Sequence, residues 1–325
     1  MRKLEHEEIR ALSAGALTFE KEEGGLAFYK GTEEQTAAIL RDQPALLPAA
    51  KAATGVRLDF ETDAEEIAFS FASGSRLELL LDGILVKTWH GAPRERTGIA
   101  LSALAPLKMD GGLHRVTMIF GSHGERTVLS SLEIGEGARL ERHRYERKLL
   151  FIGDSITQGW HSRFDSLSWA WRTSLYFNAD SVIQGIGGDR FRPGAILPLP
   201  FRPDAVFLAL GTNDFTSFDD REEFLGRVRR VLERLGEIYG EKRVFILTPP
   251  PRFDGESRPA GDHALFRGLI AEETLKRGFF PVDGGALLPR DESFFADAVH
   301  PNDDGFSLYA ENLWRILGKS RRLSL

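Results

Sequence analysis

The stretch KLLFIGDSITQG, residues 148–159, decides the fold of the second half of the chain. Its first part is a short apolar run that ends at Gly153, which is typical of a buried parallel strand. The polar residues that follow are typical of a helix start, so Ser155 is predicted at the carboxyl end of this strand. Ligand sites in open α/β sheets form beyond the carboxyl ends of the strands.

Outward from this stretch, short apolar runs alternate with helical patterns. Further strands are predicted at SVI (181–183), DAVFLALG (204–211), RVFILTP (243–249) and FFPVD (279–283). Helices are predicted over residues 221–240, 263–276 and 304–318. This alternation predicts an α/β domain in which helices cover both faces of a parallel sheet.

Residues from about 15 to 135 have a different pattern, which predicts β structure. VRLDFET (56–62) and EIAFSFA (66–72) alternate apolar and polar residues, as half-buried strands do. Asp82-Gly83 suits a type I′ turn inside a predicted hairpin over 76–89. Because 325 residues exceed the usual size of one core, two domains are expected. We predict an all-β sandwich or jelly roll over residues 1–145 and an α/β domain over 146–325.

Composition narrows the classes of partner and chemistry. The net charge of −6 argues against a nucleic-acid partner or an anionic membrane surface. The chain has no cysteine, which excludes disulfides and thiolate catalysis. No apolar stretch is long enough to span a membrane. MRKLEHEEIR (1–10) is no secretory signal, so cytoplasmic residence is expected unless a leader precedes this sequence. No pattern indicates the oligomeric state.

The segment GDSITQG (153–159) is the first of four that carry candidate chemistry. It places Ser155 at a helix start, where backbone N–H groups point toward a developing anion. Serine and aspartate also favour helix caps, so a purely structural role is the alternative.

Two further segments follow predicted strands. QGIGGDRF (184–191) contains glycines that let the backbone approach a ligand closely. It is no dinucleotide loop, because Arg190 stands where the third glycine would be. ALGTNDF (209–215) offers Asn213, whose side-chain amide either donates to an oxyanion or forms an ordinary Asx turn.

The fourth segment, DAVHPND (297–303), places Asp297 and His300 three residues apart. A single turn can bring both side chains to one side. Histidine is the natural general base near neutral pH, and an acid can fix its tautomer. A metal site would need further ligands, and no other cluster has ligand spacing. We therefore expect neither a metal nor an organic cofactor.

The four segments together resemble, in order and in strand-end placement, the four motif blocks of SGNH (GDSL-type) hydrolases. GDSITQG resembles the nucleophile block, the glycine loop the second block, GTND the third and DAVH the D-x-x-H block. The resemblance covers about residues 147–318. It implies a flavodoxin-like three-layer α/β/α sandwich with about five parallel strands.

The resemblance also implies a role for each motif residue. Ser155 would be the nucleophile, His300 the base, and Asp297 the residue that orients His300. The oxyanion hole would comprise the N–H groups of Ser155 and Gly188 and the amide of Asn213. Gly187 is an alternative donor to Gly188.

Two observations qualify that comparison. Gln184 departs from the family pattern, which commonly has asparagine there, so a supporting hydrogen bond of the second block is in doubt. The ordinary α/β-hydrolase elbow, G-x-S-x-G, fits less well because Thr157 occupies its last glycine position.

A β-sandwich followed by such a domain resembles carbohydrate esterases of the two-domain, acetyl-xylan type, and also sandwich-bearing acyltransferases. The implied function is a serine esterase that removes a short acyl group, acetyl by expectation, from a small-molecule or oligosaccharide ester. The alternatives are an acyltransferase with the same triad and a glycan-binding protein with an inert hydrolase domain. Trp169 and Trp171 suit either a sugar-stacking surface or a helix core. The candidate substrate contacts, chosen because they lie near the motifs, are Asp154, Trp160, His161 and Phe215.

Overall fold

The computed structural model describes residues 1–104, 112–123, 126–240, 243–255 and 257–319, which form two compact units. The first unit contains Met1–Thr32 and Lys51–Tyr145, and the second contains Glu33–Ala50 and the chain from Glu146 onward. The boundary at Tyr145–Glu146 coincides with the predicted one between residues 145 and 146. The predicted β domain over 1–145 was wrong to include Glu33–Ala50, which belongs to the second unit.

The first unit is an antiparallel β-sandwich, as predicted. Its strands are β1 (Arg2–Lys3), β2 (Ser13–Ala14), β3 (Thr18–Glu22), β4 (Gly25–Tyr29), β5 (Arg57–Thr62), β6 (Glu66–Ser73), β7 (Leu77–Leu81), β8 (Ile84–Trp89), β9 (Thr97–Ala100), β10 (His114–Phe120), β11 (Val128–Ile134) and β12 (Leu140–Arg142). One sheet has the order β3-β4-β11-β6-β9, with β1 paired to β11. The other has the order β12-β5-β10-β7-β8, with β2 paired to β5.

Alternation of apolar and polar residues sets the core of this sandwich. Phe69 and Phe71 of one sheet share a buried cluster with Leu79 and Phe120 of the other. The β7–β8 hairpin turns at Asp82 and Gly83, with φ of 50° and 80°. Both values are positive, as a type I′ turn requires, so the predicted turn is confirmed.

The domain predicted as all-β over residues 1–145 also contains helices. They are α1 (His6–Leu12), α2 (Glu33–Asp42), α3 (Leu47–Lys51) and α4 (Leu101–Leu104), with a 3-10 turn at Pro44–Leu46. Of these, α2 and most of α3 belong to the second unit. The prediction missed them because QTAAIL (35–40) has no flanking strand pattern that would mark an α/β segment.

The second unit contains the predicted five-stranded parallel sheet. Its strands are β13 (Arg147–Gly153), β14 (Ala179–Gly185), β15 (Ala205–Ala209), β16 (Val244–Leu247) and, after a short hairpin of β17 (Ser257–Arg258) and β18 (Gly261–Asp262), β19 (Phe280–Val282). Their order is β14-β13-β15-β16-β19. In register, Leu150 lies between Val182 and Val206. The carboxyl ends of β13, β14 and β15, which precede three of the four motifs, therefore lie side by side.

Helices surround this sheet. They are α5 (Ser155–Gln158), α6 (Trp169–Tyr176), α7 (Thr212–Phe215), α8 (Arg221–Tyr239), α9 (His263–Lys276), α10 (Gly284–Leu287) and α11 (Asp303–Lys319), with 3-10 turns at Asp165–Leu167, Pro193–Ala195 and Glu292–Phe294. Residues of α6 and α11 share a core with Phe151 and Phe207 of the sheet. Leu150 and Val206, which point to the opposite face, are also buried. The predicted three-layer α/β/α architecture is confirmed.

Within the described residues, no helix combines the length and apolar composition needed to cross a membrane.

Candidate active site

The turn between β13 and α5 holds Ser155 at the sheet edge. Asp154 caps α5, because its Oδ1 accepts a hydrogen bond from the Ile156 N–H at 3.0 Å. A Cβ at Gly153 would lie 2.1 Å from the Thr157 Oγ1, so only glycine permits this tight approach. The Ser155 side chain is thereby fixed at the start of the helix, where the residue is 7% exposed.

A chain of hydrogen bonds runs from Ser155 to Asp297. The Ser155 Oγ lies 2.9 Å from the His300 Nε2, and the His300 Nδ1 lies 2.8 Å from the Asp297 Oδ2. The other oxygen of Asp297 accepts hydrogen bonds from the N–H groups of Val299 and His300, each at 2.7 Å. The three-residue spacing therefore folds into one turn in which a single carboxylate holds both the backbone and the ring.

The Asp297 carboxyl group is ionised in the folded protein near neutral pH. Partial burial opposes its ionisation, but the hydrogen bonds from the His300 backbone and ring and from the Val299 N–H outweigh it. Together they lower the pKa of Asp297 to about 2. The carboxylate can therefore stabilise a positive charge that develops on His300.

The glycine loop after β14 lies beside this chain. The Gly187 N–H already donates to the Gln158 Oε1 at 2.8 Å. Gly188 has a φ of +85°, a conformation that favours glycine. The Asn213 Nδ2 donates to the Asp189 carbonyl at 2.9 Å, and its second hydrogen remains for a ligand. Because the Gly187 N–H is engaged, the geometry favours Gly188 over Gly187 as an oxyanion donor.

Two predicted substrate contacts are wrong. Asp154 is 2% exposed and serves as the α5 cap. Phe215 is 0% exposed and packs edge-on against His263 and Phe266. Both residues stand within motifs, but local burial turns their side chains into the protein.

The other predicted contacts lie near the triad. Trp160 is 42% exposed, and its ring lies edge-on to the His161 ring, with 6.2 Å between the ring centroids. His161 has a φ of +72°, and its Nε2 lies 3.1 Å from the Asp297 Oδ2. This left-handed backbone, unusual for histidine, turns the ring toward Asp297 and His300. Trp169 and Trp171 are buried, so they belong to the core.

His161, Asp297 and His300 could together hold a metal ion. One ligand atom from each residue lies within 4.8 Å of the others. The sequence spacing did not indicate this set, because His161 follows the nucleophile segment and lies more than 130 residues before Asp297. Asp297 and His300 also form the hydrogen bond described above, so an ion held by these residues would compete with it.

Sequence reasoning missed two glutamine contacts. Gln158, which is buried, holds the glycine loop through Gly187. Gln184 exchanges hydrogen bonds with Gln35 of α2, at 2.8 and 3.0 Å between side-chain amides. The departure of Gln184 from the family pattern was the available signal. Nothing in the sequence near Gln35 indicated its partner.

Replacing Asp154 with asparagine is expected to stabilise the protein at alkaline pH. Burial, together with the nearby Asp189 and Asp214 charges, raises the pKa of Asp154 to about 7 from 3.8. The unfolded chain ionises first, so wild-type stability falls as pH rises from about 4 to about 7. Asparagine keeps the cap oxygen and does not titrate.

The stability advantage of Asp154→Asn should therefore grow over that interval toward about 4 kcal/mol and then stay constant. Urea unfolding of both proteins at pH 4 and pH 8, followed by tryptophan fluorescence, measures it. Equal differences at the two pH values would contradict the assignment of a buried, neutral Asp154.

Comparison with known families places this geometry in context. Residues 151–308 match the model of the GDSL-like Lipase/Acylhydrolase family. No curated protein matches the chain at a significant level.

Several solved structures share the two-unit architecture. A salicylyl-acyltransferase from a tetracycline biosynthetic pathway is 19% identical with a TM-score of 0.80, over 96% of this chain and 95% of that one. A carbohydrate esterase family 2 enzyme from Corynascus thermopiles is 16% identical with a TM-score of 0.69, over 84% and 95%. An acetyl xylan esterase from Butyrivibrio proteoclasticus is 16% identical with a TM-score of 0.58, over 82% and 90%. At these identities the similarity shows the fold.

Proposed function

We propose that this protein, a carboxylic ester hydrolase with a GDSL-like acylhydrolase domain in residues 151–308, is a serine esterase. Its proposed reaction is the removal of short acyl groups from carbohydrate or similar polyol esters. The observation that carries the proposal is the continuous contact from the Ser155 Oγ through the His300 ring to Asp297. These are the nucleophile, base and acid of acyl transfer, already within hydrogen-bond distance.

The first step is attack on the ester. The Ser155 Oγ bonds to the carbonyl carbon as its proton passes to the His300 Nε2. Negative charge moves to the carbonyl oxygen, toward the N–H groups of Ser155 and Gly188 and the second amide hydrogen of Asn213. Each such donor contributes about 3 kcal/mol to the transition state. His300 then returns the proton to the leaving alcohol, and an acyl-Ser155 remains.

The second step reverses these roles with water. The His300 Nε2 accepts a proton from water as the water oxygen attacks the acyl carbon. The tetrahedral intermediate collapses, the proton returns to the Ser155 Oγ, and the carboxylic acid leaves. Asp297 stabilises the imidazolium in both steps, and its low pKa keeps it charged.

The substrate assignment is supported by the likeness to carbohydrate esterases and by the exposed Trp160 beside His161. A sugar ring can stack on such an aromatic face. The test is a series of p-nitrophenyl esters from acetate to octanoate, together with acetylated xylo-oligosaccharides. The highest kcat/KM should be for acetate, with acetate released from the oligosaccharide. A steady rise in kcat/KM up to octanoate would overturn the short-chain assignment.

A second function, acyl transfer, is favoured by one observation. The likeness to the salicylyl-acyltransferase covers 96% of this chain, whereas that to the carbohydrate esterases covers 82 to 84%. The acyl-Ser155 intermediate would then be released by an alcohol instead of water. Product analysis with an added polyol acceptor separates the two, since a transferase forms new ester faster than free acid.

Zinc is expected to inhibit hydrolysis. The His161, Asp297 and His300 ligand atoms suit a divalent ion, which would compete with the hydrogen bond between Asp297 and the His300 ring that the mechanism requires. Micromolar Zn²⁺ should lower p-nitrophenyl acetate hydrolysis reversibly, and EDTA alone should leave the rate unchanged. With each rate normalised to the same protein without zinc, His161→Ala should need at least about tenfold more zinc for half inhibition, as lost ligands weaken such sites. Loss of activity in EDTA would contradict metal-independent catalysis.

A further inference from the structure

A cavity of about 570 Å³ in the second unit begins at the glycine loop. Gly188 and Asp189 form one wall, and Gln43 and Leu46 of the 33–50 segment form another. A volume of this size suits a small-molecule ligand and greatly exceeds what an acetyl group requires. It therefore has room for a further part of the substrate.

The glycine loop connects the cavity to Ser155, because the loop lines the cavity and also contacts the serine. A Cβ at Gly187 would lie 3.8 Å from the Ser155 Cβ, and the Asn213 amide binds the Asp189 carbonyl. Gly188 lines the cavity directly. A group that is joined by a few bonds to an ester carbonyl held at Gly188 can thus reach the cavity.

Four arginines line this cavity, and two of them have carboxylate partners. Arg192 forms a two-pronged ion pair with Asp189, at 3.1 Å for both bonds. Arg227 lies 3.2 Å from Glu223 and 3.7 Å from Asp214. The charges of these two guanidinium groups are therefore largely offset.

The other two arginines have no carboxylate in direct contact, although the charge of Arg190 acts from farther away to lower the pKa of the buried Asp214. Arg190 donates to the neutral hydroxyls of Ser217 and Thr216. Among the residues that the structure describes, no carboxylate lies within 4.0 Å of Arg190 or Arg230. The carboxylate of Asp42 on neighbouring α2 is itself bound by Arg41 at 2.7 Å. The cavity thus presents excess positive charge next to the glycine loop.

We propose that this arginine-lined cavity binds an anionic group, a carboxylate or a phosphate, on the ester substrate. Guanidinium groups recognise such anions through paired N–H donors. The proposal rests on the proposed function and narrows its substrate class. The anion belongs either to the acyl group or to the sugar or polyol.

Two substrate pairs separate these sources. For the acyl side, p-nitrophenyl hemisuccinate is compared with its neutral isostere, p-nitrophenyl 4-methylpentanoate. For the alcohol side, O-acetyl glucuronate is compared with O-acetyl glucose. In one pair, the anionic ester should have at least tenfold higher kcat/KM, which equals about 1.4 kcal/mol. That preference should shrink as NaCl is raised, because exposed charges are screened.

Variants then assign the preference to the cavity. Arg230→Gln should lower the ratio of anionic to neutral kcat/KM about tenfold in the pair that shows it. Arg229→Gln is the matched control, since Arg229 is next to Arg230 in the chain but its guanidinium is paired with Glu222 and Glu273. In that variant the ratio should stay within about twofold of wild type. Melting temperatures of both variants exclude a general loss of fold.

The outcomes distinguish the two levels of the proposal. Ratios near one in both pairs, with p-nitrophenyl acetate still hydrolysed, would overturn the anion site and leave the esterase intact. If no ester is hydrolysed, the proposed function fails. Calorimetric titration with succinate and with glucuronate then decides the site alone: binding that Arg230→Gln weakens about tenfold supports it, and no binding overturns it.

Discussion

Replacement of Ser155 with alanine should lower kcat for p-nitrophenyl acetate by about 10⁴-fold or more, because it removes the atom that we propose forms the acyl-enzyme. The Ser155 Oγ makes the 2.9 Å contact to the His300 Nε2, and no other hydroxyl contacts that nitrogen among the described residues. The residual rate would come from the N–H groups of the glycine loop and from substrate binding, which survive the change.

The matched control for this variant is Ser174→Ala. Ser174 is also buried, but its Oγ only binds the Ala170 carbonyl within α6. Its activity should stay within about twofold of wild type. A fluorophosphonate probe should label Ser155 in wild type and leave Ser155→Ala unmodified, by mass spectrometry of the tryptic peptide. Activity of Ser155→Ala within tenfold of wild type would remove Ser155 from the mechanism.

The second large effect is expected for Asp297→Asn, with a fall in kcat of about 10⁴-fold, the loss that a wrong histidine tautomer causes in serine hydrolases. Asparagine can still accept the N–H groups of Val299 and His300 through its oxygen. Its NH₂ group, however, then faces the His300 Nδ1, which must become an acceptor. The proton moves to Nε2, and His300 cannot accept the proton of Ser155.

Asp303→Asn provides the control for that change. Asp303 is a nearby carboxylate that pairs with Arg163 and touches neither His300 nor Ser155. It should retain activity within a few fold of wild type. Two-dimensional NMR of the histidine side chains should show the Nδ1–H form in wild type and the Nε2–H form in Asp297→Asn. An unchanged tautomer with lost activity would assign Asp297 a different role.

Much of the second unit could be predicted because its elements are local and periodic. The pattern of REEFLGRVRRVLERLGEIYG (221–240) is apolar at helical spacing, and α8 begins at Arg221 and ends at Tyr239. The runs before the first three motifs became parallel neighbours, so their carboxyl ends meet. The predicted assembly of Ser155, His300 and Asp297 needs only that topology and one turn.

What could not be predicted depends on contacts between distant segments. Asp154 and Phe215 stand inside motifs, yet burial decides which way each side chain points. His161 gains its position from a left-handed backbone at one residue, which no periodicity signals. The arginine-lined cavity needs Gln43 and Leu46 to reach a loop about 140 residues later in the chain.

Residues 33–50 precede most of the first unit in the chain but belong to the second unit. This arrangement affects how the protein folds during synthesis and how its catalytic unit can be exchanged between genes. During synthesis, α2 leaves the ribosome more than 100 residues before the strand that carries Gln184. It must wait without its partner until that strand arrives, so the α/β unit completes folding late. A gene fragment that starts at Glu146 would also lack Gln35, and the Gln184 amide would lose its two hydrogen bonds to that residue. Exchange of this catalytic unit between proteins should therefore succeed only when the 33–50 segment moves with it.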